Sequence, residues 1–219
     1  MMKLFYKYIL NKYDTISFDV FDTLIERNCE EPSDIFRMTG EIILGKDNAN
    51  DFRRKRILAE NKAREIKKGH EVKLEEIYKA MDSSLEDKKK YLMNEEKNQE
   101  ILNCRRKKKI FSLYAQSVRK GKNVILISDM YLSASMIEKM LDKCGISGYT
   151  QLYVSNEHDA DKCSGKLFNI VVNDLSLNKK RMIHIGDSIK ADFLGARRVG
   201  IKSILIGRKN RIRRILNYK

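Results

Sequence analysis

Short, nearly unbroken apolar runs alternate along the chain with stretches whose apolar residues return every three or four positions. The runs are Thr15-Ile16-Ser17-Phe18-Asp19, Asn123 to Ser128, Leu152 to Ser155, Arg181 to Gly186 and Lys202 to Ile206. None shows a clean inside–outside alternation, which marks parallel strands buried on both faces. Helical spacing falls between them, at about residues 133–143, 167–175 and 191–199, as βαβ units require. Gly121, Gly145 and Gly200 each stand just before a strand, where a helix ends and the chain turns. The pattern predicts an α/β fold with a doubly wound parallel sheet. Ligands on such sheets bind beyond the carboxyl ends of the strands.

A long interval separates the first strand from the rest. Residues 28–103 read as all-helical. Pro32-Ser33-Asp34 opens one helix, residues 51–67 form a charged amphipathic second, residues 74–78 begin a shorter third, and residues 85–102 make a fourth. The expected organisation is a core of residues 1–27 plus 104–219, with residues 28–103 as a helical cap above the strand ends.

Composition narrows the setting. The chain has 219 residues, 42% apolar and 34% charged, which suits a folded protein with a real core. No apolar run reaches the roughly 18 residues of a membrane span, and Met1 to Leu10 lacks the apolar block and cleavage site of a secretory signal. Cys29, Cys104, Cys144 and Cys163 show neither paired nor metal-ligand spacing, so free thiols and a cytoplasmic location are expected. The net charge is +15, but its lysines are scattered on helices without interleaved aromatics. That argues against nucleic acid as a partner. The densest basic cluster, Arg208 to Arg214, reads either as a polar C-terminal helix or as a docking site for a membrane surface or acidic partner.

The strand ends carry a coherent chemistry. Asp19-Val20-Phe21-Asp22-Thr23-Leu24 follows the first strand, and Ser128-Asp129 closes the second. Lys162 lies in the loop Asp161-Lys162-Cys163-Ser164-Gly165-Lys166, and Gly186-Asp187 is followed by Asp192. An aspartate can attack phosphorus or carbon and form a covalent intermediate. Clustered carboxylates repel one another and any anionic substrate, and a hard divalent cation resolves that conflict. A lysine and a serine hydroxyl with neighbouring N–H groups can surround the transferring oxygens. His184 reads as a core histidine, His70 and His158 as solvated, Arg27 and Asp129 as surface residues, and Asp22 as pointing away along an extended segment.

These segments resemble the four motifs of the haloacid dehalogenase-like (HAD) hydrolase superfamily, in order and with a helical cap after the first. Phe18 to Leu24 resembles the first, Leu126-Ile127-Ser128-Asp129 the second, Lys162 six residues before Phe168 the third, and Gly186-Asp187 with Asp192 the fourth. The resemblance implies Asp19 as nucleophile and Mg²⁺ ligand. Ser128 and the N–H of Asp129 would hold the phosphate, with Lys162 as charge stabiliser, favoured over Lys166 by its spacing to Phe168. Asp187 and Asp192 would serve the metal. Phosphatases of the family carry an aspartate two residues after the nucleophile as general acid and base. This chain has Phe21, so only that residue's backbone carbonyl could reach the metal. The expected activity is Mg²⁺-dependent hydrolysis of a small phosphorylated metabolite through an aspartyl-phosphate at Asp19. Dehalogenase-like hydrolysis at carbon and a catalytically weak binding module stay open as alternatives.

Overall fold

The computed structural model describes residues 2–207. The basic cluster at 208–214 lies outside the described residues. The elements run α1 (Met2–Lys12), β1 (Thr15–Phe18), β2 (Ile25–Arg27), α2 (Asp34–Leu44), α3 (Ala49–Lys67), α4 (Leu74–Lys79), α5 (Lys89–Leu102), β3 (Cys104–Arg106) and α6 (Lys108–Arg119). They continue as β4 (Asn123–Ser128), α7 (Ala134–Lys143), β5 (Gln151–Val154), α8 (Ser155–His158), α9 (Lys166–Asp174), β6 (Met182–Gly186), a π-helical turn (Ile189–Gly195), α10 (Ala196–Arg198) and β7 (Lys202–Leu205).

The main sheet is parallel, with strand order β5-β4-β1-β6-β7. Its two faces are both covered, which explains the unbroken apolar runs. In β4, Val124 and Leu126 join one core with α1, α6 and α7, while Ile125 and Ile127 join the other with α9 and α10. The helices α1 and α6 lie where the sequence pattern predicts no element. Tyr6, Ile9 and Leu10 of α1, and Ile110, Leu113 and Tyr114 of α6, are buried on the same face. Gly121, Gly145 and Gly200 all have positive φ, so each turn needs a residue free of Cβ strain.

Residues 28–103 contain helices and turns and no strand. They leave and rejoin the core through a two-stranded antiparallel ribbon, β2 against β3. Helix α2 packs on α3 and α5. The interior of this segment is partly ionic. Arg56 is fully buried, its guanidinium donates to both carboxylate oxygens of Glu96 at 2.8 Å, and it lies over the rings of Phe36 and Tyr131. Tyr131 belongs to the loop after β4, so this cluster also fastens the helical segment to the sheet. The cysteines are free thiols. Among the described residues, no helix is long and apolar enough to cross a membrane.

Candidate active site

Four chain segments converge at the carboxyl ends of β1, β4 and β6. Asp19 follows β1 directly, and its N–H donates to the Ile185 carbonyl of β6 at 2.9 Å. The chain then turns sharply. The Val20 carbonyl accepts N–H groups from Leu24 at 2.9 Å and Ile25 at 3.0 Å. Asp22 sits inside this turn with φ of 58°, so the segment is not extended as the alternation argument had it. Aspartate tolerates this left-handed conformation better than most side chains.

Gly186 ends β6. A Cβ there would stand 2.2 Å from Asp192 Cγ, so glycine is what lets that carboxylate approach the strand end. Asp192 belongs to the π-helical turn, and the Ser188 N–H donates to its Oδ2 at 2.8 Å. Behind it, His184 Nε2 meets Asp192 Oδ1 at 3.1 Å and Nδ1 meets Ser17 Oγ at 2.9 Å. Burial holds the imidazole below its ordinary pKa, hence neutral. A carboxylate can only accept, so Nε2 carries the proton and Nδ1 accepts from Ser17. His184 is therefore a core histidine, as its apolar run suggests, but one that orients a site carboxylate.

Lys162 is buried, and its Nζ donates to Asp19 Oδ1 and Asp192 Oδ1, both at 2.6 Å. Lys166, the alternative by spacing, is exposed. Burial alone would lower the lysine's pKa, but Asp19, Asp192 and Asp129 outweigh it, so the ammonium stays charged. Burial pushes the Asp19 carboxyl up to about 6 against the pull of Lys162. Burial also opposes ionisation of Asp192, yet Lys162 and His184 hold it well below the usual carboxylate range. Asp187 is buried too, and Asp19, Asp187 and Asp192 each offer an oxygen within 4.8 Å of the others. Three hard oxygen donors so close, against one ammonium, form a set suited to a hard divalent cation.

At the end of β4, Ser128 is 1% exposed and its Oγ has no hydrogen-bond partner among the described residues. A buried hydroxyl without a partner is costly, which makes it a natural ligand contact. The Asp129 side chain is half-buried and engaged rather than a free surface group. Both of its carboxylate oxygens accept the Lys162 backbone N–H, at 3.0 and 3.2 Å.

Phe21 lies under the Arg27 guanidinium, 4.8 Å from its ring centroid. Arg27 is half-buried rather than fully superficial, and it donates to both carboxylate oxygens of the buried Glu100 on α5 at 2.8 Å. Sequence reasoning missed Glu71, in the loop between α3 and α4. Its Oε2 accepts the Ser155 hydroxyl at 2.7 Å, and Ser155 Oγ accepts the Met130 N–H at 3.1 Å. Its own N–H donates to Asp159, whose other oxygen meets His70 Nδ1 at 2.5 Å. A single glutamate in a polar loop carries no spacing signal that could single it out.

Comparison with known proteins places the chain. The profile described as haloacid dehalogenase-like hydrolase matches residues 13–200. Solved structures share the fold at low identity. L-2-haloacid dehalogenase from Xanthobacter autotrophicus is 12% identical over 94% of this chain and 83% of its own, with a TM-score of 0.62. The magnesium-bound YfnB from Bacillus subtilis, provisionally assigned as a HAD-hydrolase, is 16% identical over 94% and 99%, with a TM-score of 0.63. A provisionally assigned β-phosphoglucomutase from Thermotoga maritima is 15% identical over 93% and 90%, with a TM-score of 0.65. No curated protein sequence matches. With the profile covering nearly all of the sheet and the segment inserted in it, this chain belongs to the haloacid dehalogenase-like hydrolases.

Proposed function

We propose that the chain is a Mg²⁺-dependent phosphohydrolase that acts on a small phosphorylated metabolite through an aspartyl-phosphate at Asp19. The observation that carries this reading is the buried arrangement of Asp19, Asp187 and Asp192 with their oxygens within 4.8 Å, next to the Lys162 ammonium. Three buried carboxylates against one ammonium call for further positive charge, which a divalent cation supplies and which also lets an anionic phosphate enter. Asp19, Asp187, Asp192 and the Phe21 carbonyl would hold Mg²⁺, which neutralises carboxylate charge and polarises the phosphoryl oxygens.

In this reading a carboxylate oxygen of Asp19 attacks phosphorus. The bond to the leaving oxygen breaks, and that oxygen takes a proton. Lys162 stays protonated and stabilises charge on the nucleophile and on the phosphoryl oxygens. Ser128 Oγ donates to one of those oxygens. Water then attacks the aspartyl-phosphate, releasing inorganic phosphate and regenerating Asp19. Phe21 cannot exchange a proton, so the leaving oxygen draws its proton from water, from the substrate or from the cap formed by residues 28–103.

Phe21 also favours a second reading, hydrolysis at a carbon–halogen bond. A halide leaves without protonation, and Lys162 already balances Asp19 and Asp192 in part. A panel of phosphate esters, phosphonates and 2-haloacids, assayed with Mg²⁺ and with a chelator, separates the two. Phosphate release that needs Mg²⁺ and vanishes in Asp19→Asn is the expected result. Halide release that ignores the chelator would replace it.

A further inference from the structure

Asp129 follows Ser128 directly, yet its carboxylate is turned away from a phosphate role. An anionic side chain would repel a phosphoryl group, and both its oxygens are engaged by the Lys162 N–H. The loop that carries Lys162 is otherwise pinned from its far side. The Lys162 carbonyl accepts the Gly165 N–H at 3.0 Å, and a Cβ on Gly195 would lie 2.0 Å from that carbonyl. From this anchored backbone the side chain reaches Asp19 and Asp192. We propose that Asp129 is the positioning residue of Lys162, tying the ammonium to the same strand end that presents Ser128.

The reason lies in the flexibility of lysine. Four rotatable bonds separate its backbone from Nζ, so a carboxylate bond at one end and a two-carboxylate clasp at the other are needed to fix it. A charged acceptor makes the stronger bond to the N–H. The charge is held at a cost. Burial pushes Asp129 up to about 7, with Glu71 and Asp19 repelling it and Lys162 pulling it down. Glu71 reaches this turn from the helical segment through Ser155 and the Met130 N–H, so the segment's seating bears on the same strand end.

The inference rests in part on the phosphoryl reading, and its test keeps the two apart. In the full chain, exchange of the Lys162 amide with deuterium is followed by mass spectrometry for wild type, Asp129→Asn, Asp129→Ala and the near-isosteric Asp129→Leu. Fluoroberyllate binding with Mg²⁺ is measured by calorimetry on the same proteins. Asparagine keeps an acceptor, and alanine and leucine do not. Asp129→Ala or Asp129→Leu is expected to speed exchange at Lys162 and weaken fluoroberyllate binding by about tenfold, as loss of one charge-assisted bond implies. Asp129→Asn is expected to stay within about threefold of wild type in both. An unchanged Lys162 amide in both acceptor-free variants overturns the proposal. So does Asp129→Asn binding fluoroberyllate as weakly as they do. A wild type that binds no fluoroberyllate overturns the phosphoryl reading, and amide exchange alone then decides the positioning of Lys162.

Discussion

At the scale of single residues, the site depends on close approaches that particular side chains permit. Gly186 is the clearest case, since any Cβ there meets Asp192. Gly186→Ala is expected to displace that carboxylate and weaken Mg²⁺ binding by about tenfold or more, as changes around metal ligands do. Calorimetric titration with Mg²⁺ measures it. Asp129 offers a test with a definite sign in pH. Its folded pKa of about 7 lies above the ordinary 3.8. A group raised on folding disfavours the native state increasingly as pH climbs from its unfolded value through its folded one. Asp129→Asn removes that penalty while keeping an acceptor. The gain in thermal midpoint is therefore expected to grow from about pH 4 to about pH 7, to level off above that, and to be negligible below the unfolded pKa. Scanning calorimetry at several pH values checks it. A gain independent of pH would mean that Asp129 bears no such penalty.

At the scale of elements, the helical segment is held by buried ion pairs as much as by apolar packing. Arg56 and Glu96 are both fully inaccessible, and Tyr78 donates its hydroxyl to Glu96 at 2.8 Å. Removing one member of such a pair strands the other's charge. Glu96→Leu or Arg56→Met alone is expected to cost about 3–5 kcal/mol, while the two together recover most of it. Urea unfolding of the two single variants and the double variant measures the coupling. The amphipathic spacing of these helices was legible in the sequence because it is local. The pairing was not, because Arg56 and Glu96 are 40 residues apart and each looks like an ordinary charge on an exposed face. Arg27 misleads in the same way, since nothing near it in sequence announces Glu100, 73 residues on. The helices α1 and α6 were missed although their apolar and aromatic residues outnumber their lysines. They matter only because the sheet face needs covering.

At the scale of the whole molecule, several buried carboxylates face a single lysine at the mouth of the sheet. A cation that binds this centre in the native state alone must stabilise the fold. At a Mg²⁺ concentration about 100 times its dissociation constant the gain is about 2.7 kcal/mol. Differential scanning fluorimetry should therefore show a higher midpoint in Mg²⁺ than in chelator. Asp187→Asn should lose most of that difference, and no response in the wild type would count against a divalent site. What the sequence by itself determined was the parallel sheet and the set of groups at its carboxyl edge. Buried strands write themselves as short apolar runs, and the residue that ends each run must lie at the strand's end. What only the tertiary structure decided was how those groups face one another. It buried Lys162 against Asp19 and left Lys166 exposed, and turned Asp129 onto the Lys162 backbone. It also placed His184 behind Asp192 and brought Glu71 to Ser155. Asp19 and Lys162 meet across 143 residues. Periodicity reports only near neighbours in the chain, whereas a contact across that distance is set by how the whole sheet and its helices pack.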